Sequence, residues 1–218
     1  TIAGGGAWSG GTGSYSPSAN DLNAEYTPTA GEIAAGTLTL ILTTTGNGDC
    51  LPESDDVEIT FTPAPTVFAS LDHTVCANSA DVALNGSISV ATGGIWTGGK
   101  GSFSPNATAL GAIYTPSAGE IAAGTVTLTL TSTGNGDCIS VADQMVITIT
   151  PAPVVDAGIG EELCSNNPEI SLNGSVTIAT GGTWSGGSGT FAPNANDLNA
   201  TYTPSQSEIN AGTLVLTL

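Results

Sequence analysis

A repeat of 88 residues constrains this chain more than any other feature of its sequence. Residues 91–130 and 179–218, one period apart, are identical at 26 of 40 positions. Such identity without insertions indicates tandem copies of one unit. Three tryptophans and four cysteines recur at the same interval: Trp8, Trp96 and Trp184, Cys50 and Cys138, and Cys76 and Cys164.

The repeat length predicts independent domains. A unit of 88 residues is too long for one turn of a solenoid but close to the roughly 100 residues of an immunoglobulin-like sandwich. The alternating prolines of 62–65 and 150–153 stiffen the chain between units. We therefore expect an extended rod of tandem domains, of which this chain is one part. The predicted domains are the C-terminal part of one repeat at 1–63, a complete repeat at 64–151 and the N-terminal part of a third at 152–218.

Alternating apolar and polar residues predict the fold class. Segments 126–131 and 145–150 alternate in this way and are rich in β-branched residues, which is typical of half-buried antiparallel strands. The sequence thus predicts all-β, immunoglobulin-like (PKD-like) antiparallel β-sandwiches. The leucines of this pattern are expected to face the core in all three copies: Leu38, Leu40 and Leu42, Leu128 and Leu130, and Leu214, Leu216 and Leu218.

The tryptophans have two interpretations. Trp8, Trp96 and Trp184 each lie in a glycine-rich strand, where a sandwich carries its large central core residue. A buried core role is the main interpretation. A platform for stacking sugars is the alternative, because tryptophan serves either role.

A second motif predicts a short helix in each copy. Ser or Thr is followed three residues later by Glu, then by Ile and a terminating Gly, which is the pattern of a capping box. Capping would occupy each glutamate, so a catalytic role is not expected for it. The predicted caps are Thr29 with Glu32, Ser117 with Glu120, and Ser205 with Glu208. A hairpin is also predicted at Asn47-Gly48 and Asn135-Gly136.

The charge excludes several functions. The chain has 19 acidic residues, one Lys and one His, and a net charge of −18. Nucleic acid is therefore not an expected partner, because phosphate binding needs Lys and Arg. Lys100 and His73 do not recur between copies, so no repeated catalytic triad is available. An enzyme is not expected, and no membrane span or signal peptide is visible.

The cysteines predict disulfides formed in an oxidising compartment. One bridge per unit would join Cys76 to Cys138, and this is the pairing that we predict. Sandwich topology offers the alternative that these two turns lie at opposite poles, so that bridges would join neighbouring units.

A calcium site is the alternative to solvated loop charge around the last hairpin of each unit. Carboxylates are hard oxygen ligands, but no ordered Asp-x-Asp-x-Asp-Gly loop is present. No cofactor is therefore predicted. The candidate calcium ligands are Asp49, Asp55, Asp137 and Asp143.

The repeat also resembles a known type. The segments that carry the resemblance are GGTWSGGSGTFAPNANDLNATYTPS at 181–205, EIAAGTVTLTLTSTGNGDC at 120–138 and DQMVITITPAP at 143–153. They are similar to the repeats of giant gliding-motility adhesins of the SprB type in Bacteroidota. The resemblance implies a long filament exported by type IX secretion to the outer cell surface. Its implied partners are the gliding machinery, an external surface or polysaccharide, and neighbouring repeats.

The function expected from the sequence is mechanical. Stacked sandwiches would hold an adhesive region away from the cell for attachment and gliding. Two alternatives remain at this point: a carbohydrate-binding module, which requires exposed tryptophans, and a self-assembling surface-layer or filament subunit.

Overall fold

The computed structural model describes residues 3–218. The chain divides into two compact units that do not follow the repeat boundaries. The domain limits expected from the sequence therefore stay a prediction. The first unit comprises Thr1–Ala69, Gly86–Trp96 and Thr129–Asp143, and the second comprises Ser70–Asn85, Thr97–Leu128 and Gln144–Leu218.

The first repeat forms a three-stranded sheet with the order β1-β4-β5 and a separate hairpin, β2-β3. Both are antiparallel, and Trp8 in β1 lies opposite Leu42 in β4. The elements are β1 (Gly5–Ser9), β2 (Ser14–Ser16), β3 (Glu25–Thr27), α1 (Ala30–Ala35), β4 (Thr37–Thr45) and β5 (Ser54–Thr60).

The middle repeat has nine strands and one short helix. Its elements are β6 (Thr66–Phe68), β7 (His73–Cys76), β8 (Val82–Ala83), β9 (Ser87–Ser89), β10 (Gly93–Thr97), β11 (Ser102–Ser104), β12 (Ile113–Thr115), α2 (Ala118–Ala123), β13 (Thr125–Thr133) and β14 (Ala142–Thr150). They form a four-stranded sheet with the order β10-β13-β14-β7, a three-stranded sheet with the order β11-β12-β8, and the pair β6-β9.

The third repeat has the sheet order β16-β19-β18 and the pair β15-β17. Its elements are β15 (Val154–Asp156), β16 (Ile170–Ser171), β17 (Ser175–Thr177), β18 (Thr190–Ala192), β19 (Thr201–Thr203) and α3 (Gln206–Ala211). Leu214, Leu216 and Leu218 pack against its core but form no strand, and the one bridge there joins Ser185 to Thr217. The residues equivalent to the partner strand β14 would lie beyond Leu218.

These sheets confirm the predicted all-β, immunoglobulin-like fold class. One strand pair differs from the antiparallel expectation, because β14 pairs with β7 in parallel. In its register, His73 lies opposite Ile147 and Cys76 lies opposite Thr150. The strands of this sheet that come first and last along the chain, β7 and β14, therefore run in the same direction. Alternation of apolar residues does not report strand direction, so the sequence pattern could not predict this pair.

Alternate strand positions supply the core of the middle repeat. Thr125–Thr133 buries every second residue along most of its length, and its threonines lie mostly on the more exposed face. The fully buried apolar side chains come from both sheets, as expected of a sandwich. They include Leu84 and Tyr114 from the three-stranded side and Trp96, Leu128, Leu130, Met145 and Ile147 from the four-stranded side.

The hairpins at the two Asn-Gly sites are wider than the sequence suggested. β4 and β5 pair antiparallel, but the loop between them runs from 46 to 53. Gly46 and Gly48 have positive φ, whereas Asn47 turns its side-chain amide back to donate to the Thr44 carbonyl at 3.2 Å. A two-residue turn would need positive φ at both central residues. The side-chain bond to Thr44 favours the longer loop instead.

Candidate functional site: a tyrosine–glutamate cluster in each repeat

A polar site that recurs in all three copies forms at the short helix of each repeat. In the middle repeat, Ser117 is the N-cap of α2 and accepts a hydrogen bond from the Glu120 backbone N–H. The Glu120 carboxylate returns to the Ser117 backbone N–H, which completes a capping box. Gly124 ends the helix in the left-handed conformation with φ 76°. The helix thus fixes one glutamate at a defined position.

Glu120 does more than cap its helix. Its Oε2 accepts from the Ser117 backbone N–H and from the Ser117 hydroxyl, both at 2.8 Å. Its Oε1 accepts from the Lys100 backbone N–H at 2.7 Å and from the Tyr114 hydroxyl at 2.8 Å. Glu120 is only 8% exposed, although it carries a charge. Four donors therefore replace the water that burial removes from this carboxylate.

Tyr114 connects this carboxylate to the loop that follows β10. Its hydroxyl accepts from the Gly101 backbone N–H at 2.9 Å while it donates to Glu120. Its ring contacts Phe103 in the adjacent strand at a centroid distance of 4.9 Å. A Cβ at Gly99 or Gly101 would overlap the Tyr114 hydroxyl or the Thr115 carbonyl. The glycines of this loop therefore permit its close approach to the tyrosine.

The same cluster occurs in the other two repeats. Each has a tyrosine hydroxyl that donates to the capping glutamate and accepts from a glycine backbone N–H. We name these assemblies the Tyr–Glu clusters. Their residues are Thr12, Gly13, Tyr26, Thr29 and Glu32 in the first repeat; Lys100, Gly101, Tyr114, Ser117 and Glu120 in the middle repeat; and Ser188, Gly189, Tyr202, Ser205 and Glu208 in the third.

The hydrogen bonds control ionisation in the cluster. Burial alone would raise the pKa of Glu120, but hydrogen bonds from Ser117, Lys100 and Tyr114 outweigh it and lower the pKa to about 2. Burial and the hydrogen bond to Glu120 raise the pKa of Tyr114 to about 12. Neither group changes its charge near neutral pH. The cluster therefore suits a stabilising role better than proton transfer.

We expect acid to weaken all three repeats. The pKa of each cluster glutamate lies near 2 in the folded chain, below the ordinary value of 4.5. Ionised glutamate thus contributes its full stabilisation above pH 4.5, and this contribution is lost as the pH falls towards 2. Thermal unfolding at a series of pH values should give a constant melting temperature between neutral pH and pH 4.5. The melting temperature should then fall as the pH is lowered towards 2.

The matched variant for this test is Glu120→Gln. Glutamine does not titrate. The free energy of opening obtained from hydrogen exchange in 93–133 should therefore depend less on pH through the same window than it does in the parent chain. An equally steep acid decline in both chains would contradict the role given to the Glu120 carboxylate.

The structure places the predicted tryptophans differently in the three repeats. Trp96 and Trp184 are buried, with 1% and 3% exposure, whereas Trp8 is partly exposed. The indole N–H of Trp184 donates to the Leu198 carbonyl at 3.2 Å. The equivalent bond joins Trp8 to Leu22 at 3.3 Å. Burial of Trp96 removes the flat exposed ring that sugar stacking requires.

The predicted calcium ligands do not come together. Asp143 accepts from the Ala69 backbone N–H at 2.9 Å, so it fastens the chain between β6 and β7. Asp55 lies opposite Leu42 in the β4–β5 ladder, and Asp49 and Asp137 lie in the loops after β4 and β13. Within residues 3–218, no group of three or more His, Cys, Asp or Glu side chains is arranged to hold a metal ion.

The predicted Cys76–Cys138 bridge is corrected by the structure, in which all four cysteines are free. Cys76 lies beside Thr150, the last residue of β14, whereas Cys138 lies in the loop that precedes β14. The nine residues of β14 span about 30 Å at 3.3 Å per residue. Disulfides need Cα atoms within about 7 Å of each other, so this pairing does not fit one repeat.

Sequence reasoning predicted the caps but missed the tyrosine and the loop backbone. The sequence pattern assigned no polar role to Tyr26, Tyr114 or Tyr202. The available signal was their fixed distance of six residues from the capping glutamate in every copy. None of the helices among residues 3–218 is long and apolar enough to cross a membrane.

Comparisons with known proteins find similar solved structures among cadherin domains. No protein-family model matches the sequence, and no curated protein matches it. The chain is similar to mouse cadherin-23 domains EC22–24, with 14% identity, a TM-score of 0.41 and coverage of 95% of this chain and 78% of that one.

Two further similarities are of the same kind. For protocadherin gamma B7 extracellular domains 1–4, the identity is 14%, the TM-score is 0.38, and 84% of this chain and 52% of that chain are covered. For Drosophila N-cadherin EC1–4, the corresponding values are 11%, 0.36, 92% and 57%. The chain thus spans about half the length of these two cadherin chains.

Proposed function

We propose that this chain is a non-enzymatic stalk segment of a large secreted adhesin on a bacterial cell surface. Its repeats would extend an adhesive region from the cell for attachment to surfaces. The link to gliding motility and type IX secretion rests on the resemblance of segments 120–138, 143–153 and 181–205 to adhesin repeats of that kind.

The observation that carries the stalk proposal is the parallel pairing of β7 with β14. The chain enters this sheet of the middle repeat at the level of His73 and Ile147, and it leaves at the level of Cys76 and Thr150. The incoming and outgoing ends of the sheet are therefore opposite one another. A unit with opposite ends is suited to head-to-tail extension, whereas a unit with adjacent ends would favour folding back.

The composition of the linkers and the surface supports the same role. Prolines at 63, 65, 151 and 153 restrict the backbone between units. A net charge of −18 favours solubility and opposes side-by-side clumping of neighbouring filaments. The Tyr–Glu clusters place the same internal hydrogen bonds in every repeat, as expected where each unit must remain folded without a partner.

The carbohydrate-binding alternative receives no support from the tryptophans. It required an exposed Trp96, and this side chain is 1% exposed. Trp184 is buried in the core cluster of the third repeat with Leu172, Ala200 and Tyr202. In the middle and third repeats, the recurring tryptophan therefore packs the core rather than meeting a ligand.

A stalk exposed outside the cell should resist proteases, and trypsin gives a simple test. Lys100 is the only Lys or Arg in the sequence, and its backbone N–H is held by Glu120 at 2.7 Å. We expect the folded chain to be cut slowly, into fragments 1–100 and 101–218. Glu120→Gln should raise the cleavage rate roughly 10-fold, because loss of about 1–2 kcal/mol increases local opening by that factor.

The control for the trypsin experiment is Asp81→Asn, a change of the same kind at an exposed position of the middle repeat. It should leave the rate at the parental value. Equal rates for the Glu120 variant and the parent would show that the cluster does not hold this loop closed.

The proposed function itself is tested on cells that produce the protein. Antibodies raised against the 218-residue chain should label the surface of intact cells, with gold particles lying well outside the outer membrane. Deletion of the repeats should reduce attachment of the cells to glass while leaving secretion of other surface proteins unchanged. Labelling only after the cells are permeabilised would contradict the proposal.

A further inference from the structure

The two cysteines that lack a partner within their own repeat both reach a linker between repeats. The Cys138 thiol donates to the carbonyls of Pro63 at 3.6 Å and Thr62 at 3.8 Å, in the linker that precedes the middle repeat. The Cys76 thiol donates to the Pro151 carbonyl at 3.8 Å, in the linker that follows it.

Pro63 and Pro151 are the same position of the repeat, 88 residues apart. By this equivalence, a linker with a complete repeat on each side would offer one proline carbonyl to two thiols. One thiol is the Cys76 equivalent of the repeat before the linker, and the other is the Cys138 equivalent of the repeat after it. The two sulfur atoms would then lie no farther apart than the sum of their distances to the shared oxygen, so both cysteines would lie beside the same proline.

The other two cysteines fit the same scheme. Cys50 and Cys164 are exposed, whereas Cys76 and Cys138 are partly buried. By the repeat relation, the linkers that Cys50 and Cys164 would contact lie outside the 218 residues. Within the sequence, each of the two linkers thus receives a single thiol, and no two cysteines of the chain meet at the same proline.

We propose that successive repeats are joined by a disulfide at every linker, between the Cys76 equivalent of one repeat and the Cys138 equivalent of the next. An external small-molecule disulfide would supply the oxidation. The two thiols lose two protons and two electrons, one S–S bond forms, and the oxidant is released as two thiols. Such a bond would hold the two repeats together beside the proline linker and limit bending between them. The proposal requires only neighbouring repeats, so it holds independently of the adhesive role.

The test extends the full chain by the equivalents of the end of β13 and the whole of β14. A copy of Thr131–Pro153 is added after Leu218, which completes the third repeat and supplies a copy of Cys138 one period later. After oxidation with glutathione disulfide, we expect mass spectrometry of peptides from the extended chain to show Cys76 bonded to the added cysteine. The unextended chain should retain Cys76 and Cys138 as thiols under the same conditions.

Two variants of the extended chain complete the test. Cys76→Ser should remove the bond, whereas Cys164→Ser should leave it intact. Circular dichroism of the extended chain should show that it retains its β structure. A bond between Cys76 and Cys138, or persistence of Cys76 and the added cysteine as thiols in the folded, oxidised chain, would overturn the proposal. Neither result depends on whether the protein binds any surface.

Discussion

Replacing Trp96 by alanine is expected to destabilise the middle repeat by about 3–5 kcal/mol. The side chain is 1% exposed, and it lies in the strand beside β13, whose Leu128 and Leu130 are fully buried. Alanine would leave a cavity that the surrounding sheets can fill only in part. The measurement is native-state hydrogen exchange of peptides from the middle repeat, which reports the free energy of opening of that repeat alone.

The matched control for this prediction is Trp8→Ala in the first repeat. Trp8 occupies the equivalent position but is only partly buried, so its replacement should cost clearly less. Because both variants lose the same atoms, the difference reports burial rather than residue type. A cost below about 1 kcal/mol for Trp96→Ala would contradict a core role for this residue.

Replacing Glu120 by alanine is expected to destabilise the middle repeat by about 2–4 kcal/mol. The change removes the acceptor of four hydrogen bonds, from the Ser117 backbone and hydroxyl, the Lys100 backbone and the Tyr114 hydroxyl. Those donors lie in a part-buried or buried setting, where water replaces the carboxylate poorly. Urea unfolding followed by hydrogen exchange in 93–133 measures the loss.

Two further variants show whether the cluster acts as a unit. Tyr114→Phe removes one hydroxyl and should cost about 1–2 kcal/mol, and it should cost less when Glu120 has already been replaced. Asp81→Ala, at an exposed acidic position of the same repeat, should cost less than about 0.5 kcal/mol. Strict additivity of the Tyr114 and Glu120 effects would show that the two side chains do not cooperate.

Those features that depend on local sequence could be predicted well. The capping boxes at Thr29, Ser117 and Ser205 were predicted from short-range patterns, and each is present with both of its hydrogen bonds. A strand over 126–131 was predicted from its alternation of apolar residues and threonine, and the observed strand is Thr125–Thr133. In both cases, the residues that determine the structure lie within one turn or one strand of each other.

Features that depend on distant parts of the chain could not be predicted. The parallel register of β7 with β14 joins residues about 74 positions apart, and strand alternation carries no information on such pairing. Likewise, the backbone N–H of Lys100 reaches Glu120 through the conformation of a loop, not through the identity of its side chain. The Cys76–Cys138 prediction failed for the same reason, since counting cysteines does not show at which end of a strand each one lies.

The central claim, that these repeats form an extended stalk, is tested most directly by small-angle X-ray scattering of the oxidised and reduced chain, with and without calcium. If each repeat adds about 30–40 Å, as strands of nine residues imply at 3.3 Å per residue, the radius of gyration should be about 25–30 Å. The radius of gyration should depend neither on calcium nor on reduction, because Cys76 and Cys138 are expected to stay thiols in this chain. A compact chain of 218 residues would give about 17 Å, and a value near that figure would contradict the stalk.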